Sequence, residues 1–148
     1  MIFLQHVHAA DGSDMGLIAK VFPPIRGLGH CFAGSWDAQI IEELTPAPKD
    51  RGVEKHRFSG FFKTNLESLL RELQVETLVV SGIATNICVE STIRDAFYRD
   101  YSVVVPREAT ASFTEEQEGG ALGNFAFAFA KVLPLDEVFR LIVATRQH

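Results

Sequence analysis

Short apolar runs alternate along the chain with stretches whose apolar residues recur three and four positions apart. The first kind reads as strand and the second as amphipathic helix. Ile2 to His8 is the first strand candidate and Gly52 to Arg57 the second. Leu78-Val79-Val80 and Val103-Val104-Val105 are apolar on both pleat faces, the pattern of parallel strands buried on both sides. Val132-Leu133 is a short last strand. One helix is predicted from Leu66 to Leu73 behind the cap Asn65, with Leu66, Leu69, Leu70 and Leu73 on one face. A second starts near Ile87, capped by Thr85 or Asn86, and ends near Asp100-Tyr101. A third runs from Glu115 to Ala130 behind Thr114, across Gly119, Gly120 and Gly123. A fourth covers Glu137 to Ala144 behind Asp136. Ala9 to Gly34, with Asp11-Gly12-Ser13-Asp14 and Pro23-Pro24, reads as a long loop with one helical turn near Met15 to Val21. Trp36 to Leu44 starts a short helix stopped by Pro46 and Pro48, and Ala109 to Ser112 is a loop at a strand end. Strands that alternate with helices predict an α/β fold, a mostly parallel sheet covered on both faces.

Composition narrows the class. The 148 residues suit one domain spanning 1–148. Hydrophobic residues make up 47%, enough for a packed core, so disorder is not expected. The net charge of −5 comes without a basic cluster, which argues against a nucleic-acid partner. No apolar run approaches the ~20 residues of a membrane helix. Cys31 and Cys88 have no paired spacing, which favours a reducing compartment, and a cytoplasmic protein is the expectation.

In such folds ligands sit beyond the carboxyl ends of strands. The ends here carry His6 and His8, Lys55 to Ser59, Gly82 to Cys88, and Ala109 to Ser112. Cys88 falls in the first turn of its predicted helix, where the dipole and free amides favour a thiolate and can hold an oxyanion. Its bland alternative is a small cysteine filling a core gap. A cationic Lys55 across the crevice would stabilise that thiolate; its bland alternative is a solvated strand-end lysine. His6 and His8 share one strand face, and Asp11 and Asp14 follow, but two ligands on one face are a weak metal signal. Gly27-Leu28-Gly29 lacks the strand and helix of a dinucleotide fingerprint.

Two blocks carry a family resemblance: Lys55-His56-Arg57-Phe58-Ser59-Gly60-Phe61-Phe62, and Gly82-Ile83-Ala84-Thr85-Asn86-Ile87-Cys88-Val89-Glu90-Ser91-Thr92 with Arg94-Asp95. Together they resemble the isochorismatase-like cysteine hydrolases. Gly34-Ser35-Trp36-Asp37 and Glu43-Leu44-Thr45-Pro46 add similarity to the ureidoacrylate amidohydrolase branch. The resemblance implies a Rossmann-like three-layer α/β/α fold and an Asp–Lys–Cys triad, with Lys55 and Cys88 matching two members. It implies a cis peptide at Ile83–Ala84, with the Ala84 and Cys88 amides facing an oxyanion, and a dimer or tetramer. The family's aspartate ends a strand that precedes the segment matching Ile2 to His8, so the first strand, its aspartate and the first helix are expected to be missing. Asp11 and Asp14 do not match that aspartate. The nicotinamidase branch binds a metal through an Asp/His/His set that Gln5-His6-Val7-His8 does not reproduce, so no metal or other cofactor is expected.

The expectation is a cysteine hydrolase that cleaves an amide or ureido C–N bond of a small molecule through a Cys88 thioester, with Trp36, Phe58 and Phe61 lining the pocket. The alternative is a catalytically impaired, truncated member acting as a binding or oligomerisation partner. A redox-sensing Cys88 would need Cys31 to approach it.

Overall fold

The computed structural model describes residues 1–21 and 31–145. Pro23-Pro24 and Gly27-Leu28-Gly29 lie outside the described residues. The chain packs as two compact units, Met1–Glu67 and Ser68–His148.

In the first unit β1 (Ile2–His6) and β2 (Arg51–Lys55) pair in parallel, with Leu4 opposite Val53 and His6 opposite Lys55. Both strands are shorter than predicted. Beyond His6 the chain bends to a single bridge, His8 with Phe32, closed by the His8 amide on the Cys31 carbonyl and the Ala33 amide on the His8 carbonyl. The helical turn in the loop is α1 (Ile18–Val21). The helix expected over Trp36 to Leu44 is two separate 3₁₀ turns, Trp36–Ala38 and Glu42–Leu44. Gln39 between them is extended, with ψ 151°, so the helical hydrogen bonds cannot run through. Val7, Met15, Ala38, Val53, Phe61 and Leu66 supply the apolar core, and Gly60 packs so tightly that a Cβ there would meet Leu4 at 2.6 Å.

The unit boundary falls within α2 (Leu66–Glu72). Leu66 and Leu70 are buried one turn apart, while Leu73, assigned to the same face, is half exposed beyond the helix end. The second unit holds a parallel sheet ordered β3 (Thr77–Val79), β5 (Ser102–Pro106), β7 (Lys131–Leu133). β4 (Gly82–Ile83) pairs separately with β6 (Thr110–Ala111), which is where a loop was expected. Every ladder among the described residues is parallel.

Val103, Val104 and Val105 are buried as their run predicts. Leu78 to Val80 is not: Val79 is 46% exposed. Among the described residues β3 has one ladder, with β5, and lies at the edge of its sheet. The helix of Cys88 begins differently from the prediction. Thr85–Val89 is a π-helical turn with Ala84 at its N-cap, and the α-helix proper, α3, is Glu90–Phe97. The long third helix divides likewise into α4 (Glu115–Asn124) and a π-helical turn Phe125–Phe129, after which Ala130 is extended. Within this Phe-rich π turn Phe125 stays buried while Phe127 faces outward. α5 (Leu135–Thr145) starts one residue before Asp136, because the Leu135 amide is taken by the Glu108 carboxylate at 2.9 Å.

Candidate active site

The chemistry-bearing residues fall into both units. In the first, the β1–β2 register sets His6 beside Lys55 on one sheet face. Lys55 is 4% exposed, which removes its reading as a solvated strand-end lysine. A buried ammonium needs acceptors, and its Nζ donates to the Arg57 carbonyl at 3.1 Å. Phe58 sits edge-on to the His6 ring at 6.2 Å between centroids. Phe61 is 6% exposed and belongs to the core, whereas Trp36 is 84% exposed.

Around His6 the structure gathers His8 and Asp14, noted together in the sequence, with His56, which was not. His6 Nε2 lies 3.0 Å from His8 Nε2, His8 Nδ1 lies 3.2 Å from Asp14 Oδ1, and His56 Nδ1 lies 3.1 Å from Asp14 Oδ2. The Asp14 carboxylate also accepts from the Ala9 amide, and Arg57 donates to the Asp14 carbonyl at 2.7 Å. Burial, then the charge of Lys55, lowers the His6 pKa to about 3. Burial also lowers His8, against the pull of Asp14. A cavity of about 270 Å³ opens beside the cluster, lined by Asp14, His56, Arg57, Phe62 and Lys63. The signal that could have found the cluster is the strand register: once His6 pairs with Lys55, His8 and the loop after it must come to the same face.

His8, Asp14 and His56 hold possible ligand atoms within 4.8 Å of one another, the one such group among the described residues. Its hydrogen bonds describe protons in the gaps between them. His56 Nδ1 faces the Val7 carbonyl at 2.5 Å, so that nitrogen carries hydrogen and is closed to a metal. Asp14 accepts from an amide and faces two imidazoles. The donor set therefore fits a hydrogen-bonded cluster, and no metal role is assigned to it.

In the second unit, Gly82 has φ +122°, open to glycine and strained for other residues, and the Ile83–Ala84 peptide is cis. The Ala84 carbonyl accepts from the Ile87 and Val89 amides, at 3.1 and 3.2 Å, which starts the π turn. Neither Thr85 nor Asn86 caps it. Thr85 is fully buried, and its Oγ1 has no hydrogen-bond partner. Asn86 instead ties the turn to the loop after β6: its amide donates to Ser112 Oγ at 3.3 Å, and Ser112 Oγ donates back to Asn86 Oδ1 at 3.0 Å. Glu118 holds Ser112 in turn, accepting its amide at 3.0 Å. Cys88 is half-buried within this braced turn, and its carbonyl accepts from Thr92 Oγ1 at 2.7 Å. A cavity of about 770 Å³ elsewhere in the unit is lined by Val79, Phe97, Val104, Phe129, Val138 and Leu141 among others, and Cys88 is not in its wall.

Parallel ladders joined through helices, with chemistry gathered at the carboxyl ends of strands, define an α/β protein of Rossmann-like type. The chain belongs to the isochorismatase family: the family model, described as the Isochorismatase domain, matches residues 1–137. It is 53% identical over 77 residues to the ureidoacrylate amidohydrolase RutB of Cronobacter sakazakii, covering 52% of this chain and 33% of that protein. It is 45% identical over 105 residues to the RutB of Pseudomonas syringae pv. syringae, covering 70% of this chain and 43% of that protein. The crystal structure of a cysteine hydrolase from Pseudomonas syringae pv. phaseolicola superposes with TM-score 0.88 at 32% identity, covering 97% of this chain and 71% of that one. The chain thus matches well under half the length of these curated relatives. No helix among the described residues is long and apolar enough to cross a membrane.

Proposed function

We propose that this chain carries the nucleophile and the cation of a cysteine amidohydrolase acting on the C–N bond of a small amide or ureido compound. The observation that carries the reading is the 45% identity to a ureidoacrylate amidohydrolase over 70% of the chain. In this reading the Cys88 thiolate bonds to the carbonyl carbon, and the C–N bond breaks as the amine leaves with a proton. Water then adds to the thioester, gives up a proton, and the C–S bond breaks. Lys55 is the cation that favours the thiolate, and the amides of Ala84 and Cys88, around the Ile83–Ala84 bond, receive the oxyanion. Phe58, Phe61 and Trp36 belong to the substrate surround. The assembly that goes with the reading is a homodimer or homotetramer.

The test is turnover of a panel of small amides and ureas, with the acyl–Cys88 adduct trapped by acid quench and read by mass spectrometry. Cys88→Ala should abolish both adduct and turnover, a loss of at least ~10³-fold. Turnover that survives Cys88→Ala refutes the mechanism. A chain that binds the panel without turning it over supports the alternative of a non-catalytic binding or oligomerisation role.

A further inference from the structure

The hydrogens in the row Asp14, His8, His6 can be placed one after another. Burial works against the charge of Asp14, but the Ala9 amide at 3.0 Å and the two neighbouring imidazoles outweigh it, and its pKa lies below the ordinary value. Asp14 is therefore a carboxylate at neutral pH and only accepts. His8 Nδ1, 3.2 Å away, must carry a hydrogen. His8 is a neutral ring at that pH, so its other nitrogen, Nε2, is bare. That bare nitrogen lies 3.0 Å from His6 Nε2, which must donate to it. His6 is neutral as well, so its Nδ1 is bare. Asp14 thus dictates, across two hydrogen bonds, which His6 nitrogen accepts.

The ionisable groups around His6 are Lys55, His8, His56 and Arg57. Lys55 and Arg57 offer donors only, the His56 Nδ1 hydrogen goes to the Val7 carbonyl, and the bare nitrogen of His8 is used by His6. The His6 Nδ1 is an acceptor on this face, carried by the residue that pairs with Lys55 across the ladder. We propose that Asp14, through His8, is a positioning residue that sets His6 with a bare Nδ1 beside Lys55, and that this nitrogen accepts an N–H of the substrate. The substrate class rests on the amidohydrolase reading above; the order of the hydrogens does not. An amide or ureido group brings N–H donors, and the matching ester brings none.

Long-range ¹⁵N–¹H correlation spectra of histidine-labelled protein at neutral pH test the hydrogens directly. His8 should show the Nδ1–H form, the minor tautomer of a free neutral imidazole, and His6 the Nε2–H form. Asp14→Ala should return His8 to Nε2–H and drive His6 to Nδ1–H, while Asp14→Glu should keep the native pair. His8 as Nε2–H in the unaltered protein overturns the proposal, as does an unchanged His6 in folded Asp14→Ala. The acceptor role is read in Cys88→Ala protein, which needs no turnover. There 3-ureidopropionate should shift the His6 Nδ1 resonance and the ester lacking N–H should not. Asp14→Ala in that background should weaken 3-ureidopropionate binding by about tenfold, the worth of one hydrogen bond. No shift of Nδ1 with the ureido acid, or an equal shift with the ester, overturns the acceptor role. Failure of turnover with intact tautomers would condemn the hydrolase reading alone.

Discussion

The two units bury different things. The first encloses His8, Lys55 and Ser59 together with the apolar Val7, Met15, Val53, Phe61 and Leu66. The second encloses Ile93, Ala96, Val105 and Phe125 with no measurable exposure, and its buried polar residues are threonines. Apolar burial has no direction and stabilises, whereas a buried ammonium or imidazole costs free energy unless every polar atom has a partner. The second unit should then owe its stability to packing, and the first should owe its order to hydrogen bonds. Phe125→Ala is the largest test of this contrast. It leaves a ring-sized cavity beneath α4 and should cost about 4 kcal/mol, read as a shift in urea unfolding midpoint at constant slope. A cost under ~1 kcal/mol would mean that the site collapses freely and that the packing contrast is not real.

The first unit should show its character in acid. His6 has a folded pKa of about 3, below the 6.5 of the unfolded chain. Above pH 6.5 the ring is neutral in both states, and pH has no effect through it. As pH falls from 6.5 towards 3, the unfolded chain takes up a proton that the folded chain refuses, so stability falls. His8 acts in the same direction. Asp14, held below the ordinary carboxylate value, contributes stability that is lost as pH drops through that lower range. Unfolding midpoints at pH 7 and pH 5 should therefore differ, and the difference should shrink in His6→Leu. An identical acid loss in His6→Leu would place the titration elsewhere and dissolve the contrast between the units.

Much of this was legible in the sequence, and the failures share a cause. The apolar run Val103-Val104-Val105 fixed a buried strand because nothing in its pattern allows an exposed face. Leu78-Val79-Val80 has the same pattern and is half exposed, because burial depends on what lies alongside β3, which no local pattern encodes. Lys55 and Cys88 were singled out from residue blocks, but the burial of Lys55 was not legible, since strand register decides it. That His56 joins His6, His8 and Asp14 was not legible for the same reason. His6, His8 and Asp14 are neighbours in sequence, and His56, just after β2, is brought to them by the pairing of β1 with β2. The helix ahead of Cys88 was mistaken at its start because Ala84, a poor capping residue, fills the N-cap, and Ser112 and Glu118 brace the turn from outside.

The smallest effect sharpens the contrast from inside the second unit, where one helix depends on a polar bond after all. α4 carries Gly119, Gly120 and Gly123, each of which weakens a helix interior by roughly 0.5–1 kcal/mol relative to alanine. What holds α4 is the anchoring of Ala121 and Phe125, four positions apart and both buried, together with the cap at its start. Thr114 is extended, with φ −140° and ψ 154°, and its hydroxyl accepts the Gln117 amide at 3.2 Å. Glu115, Glu116 and Glu118 place negative charge in the first turn, where the helix dipole favours it. Glu118 also holds Ser112, so fraying at the start of α4 loosens the turn of Cys88. Thr114→Ala should cost about 1 kcal/mol, and Thr114→Ser should restore most of it. Amide exchange at Ser112 and Asn86 should quicken in Thr114→Ala, while exchange in the β1–β2 ladder stays as it was. Quickening in both ladders alike would show that the two units open together.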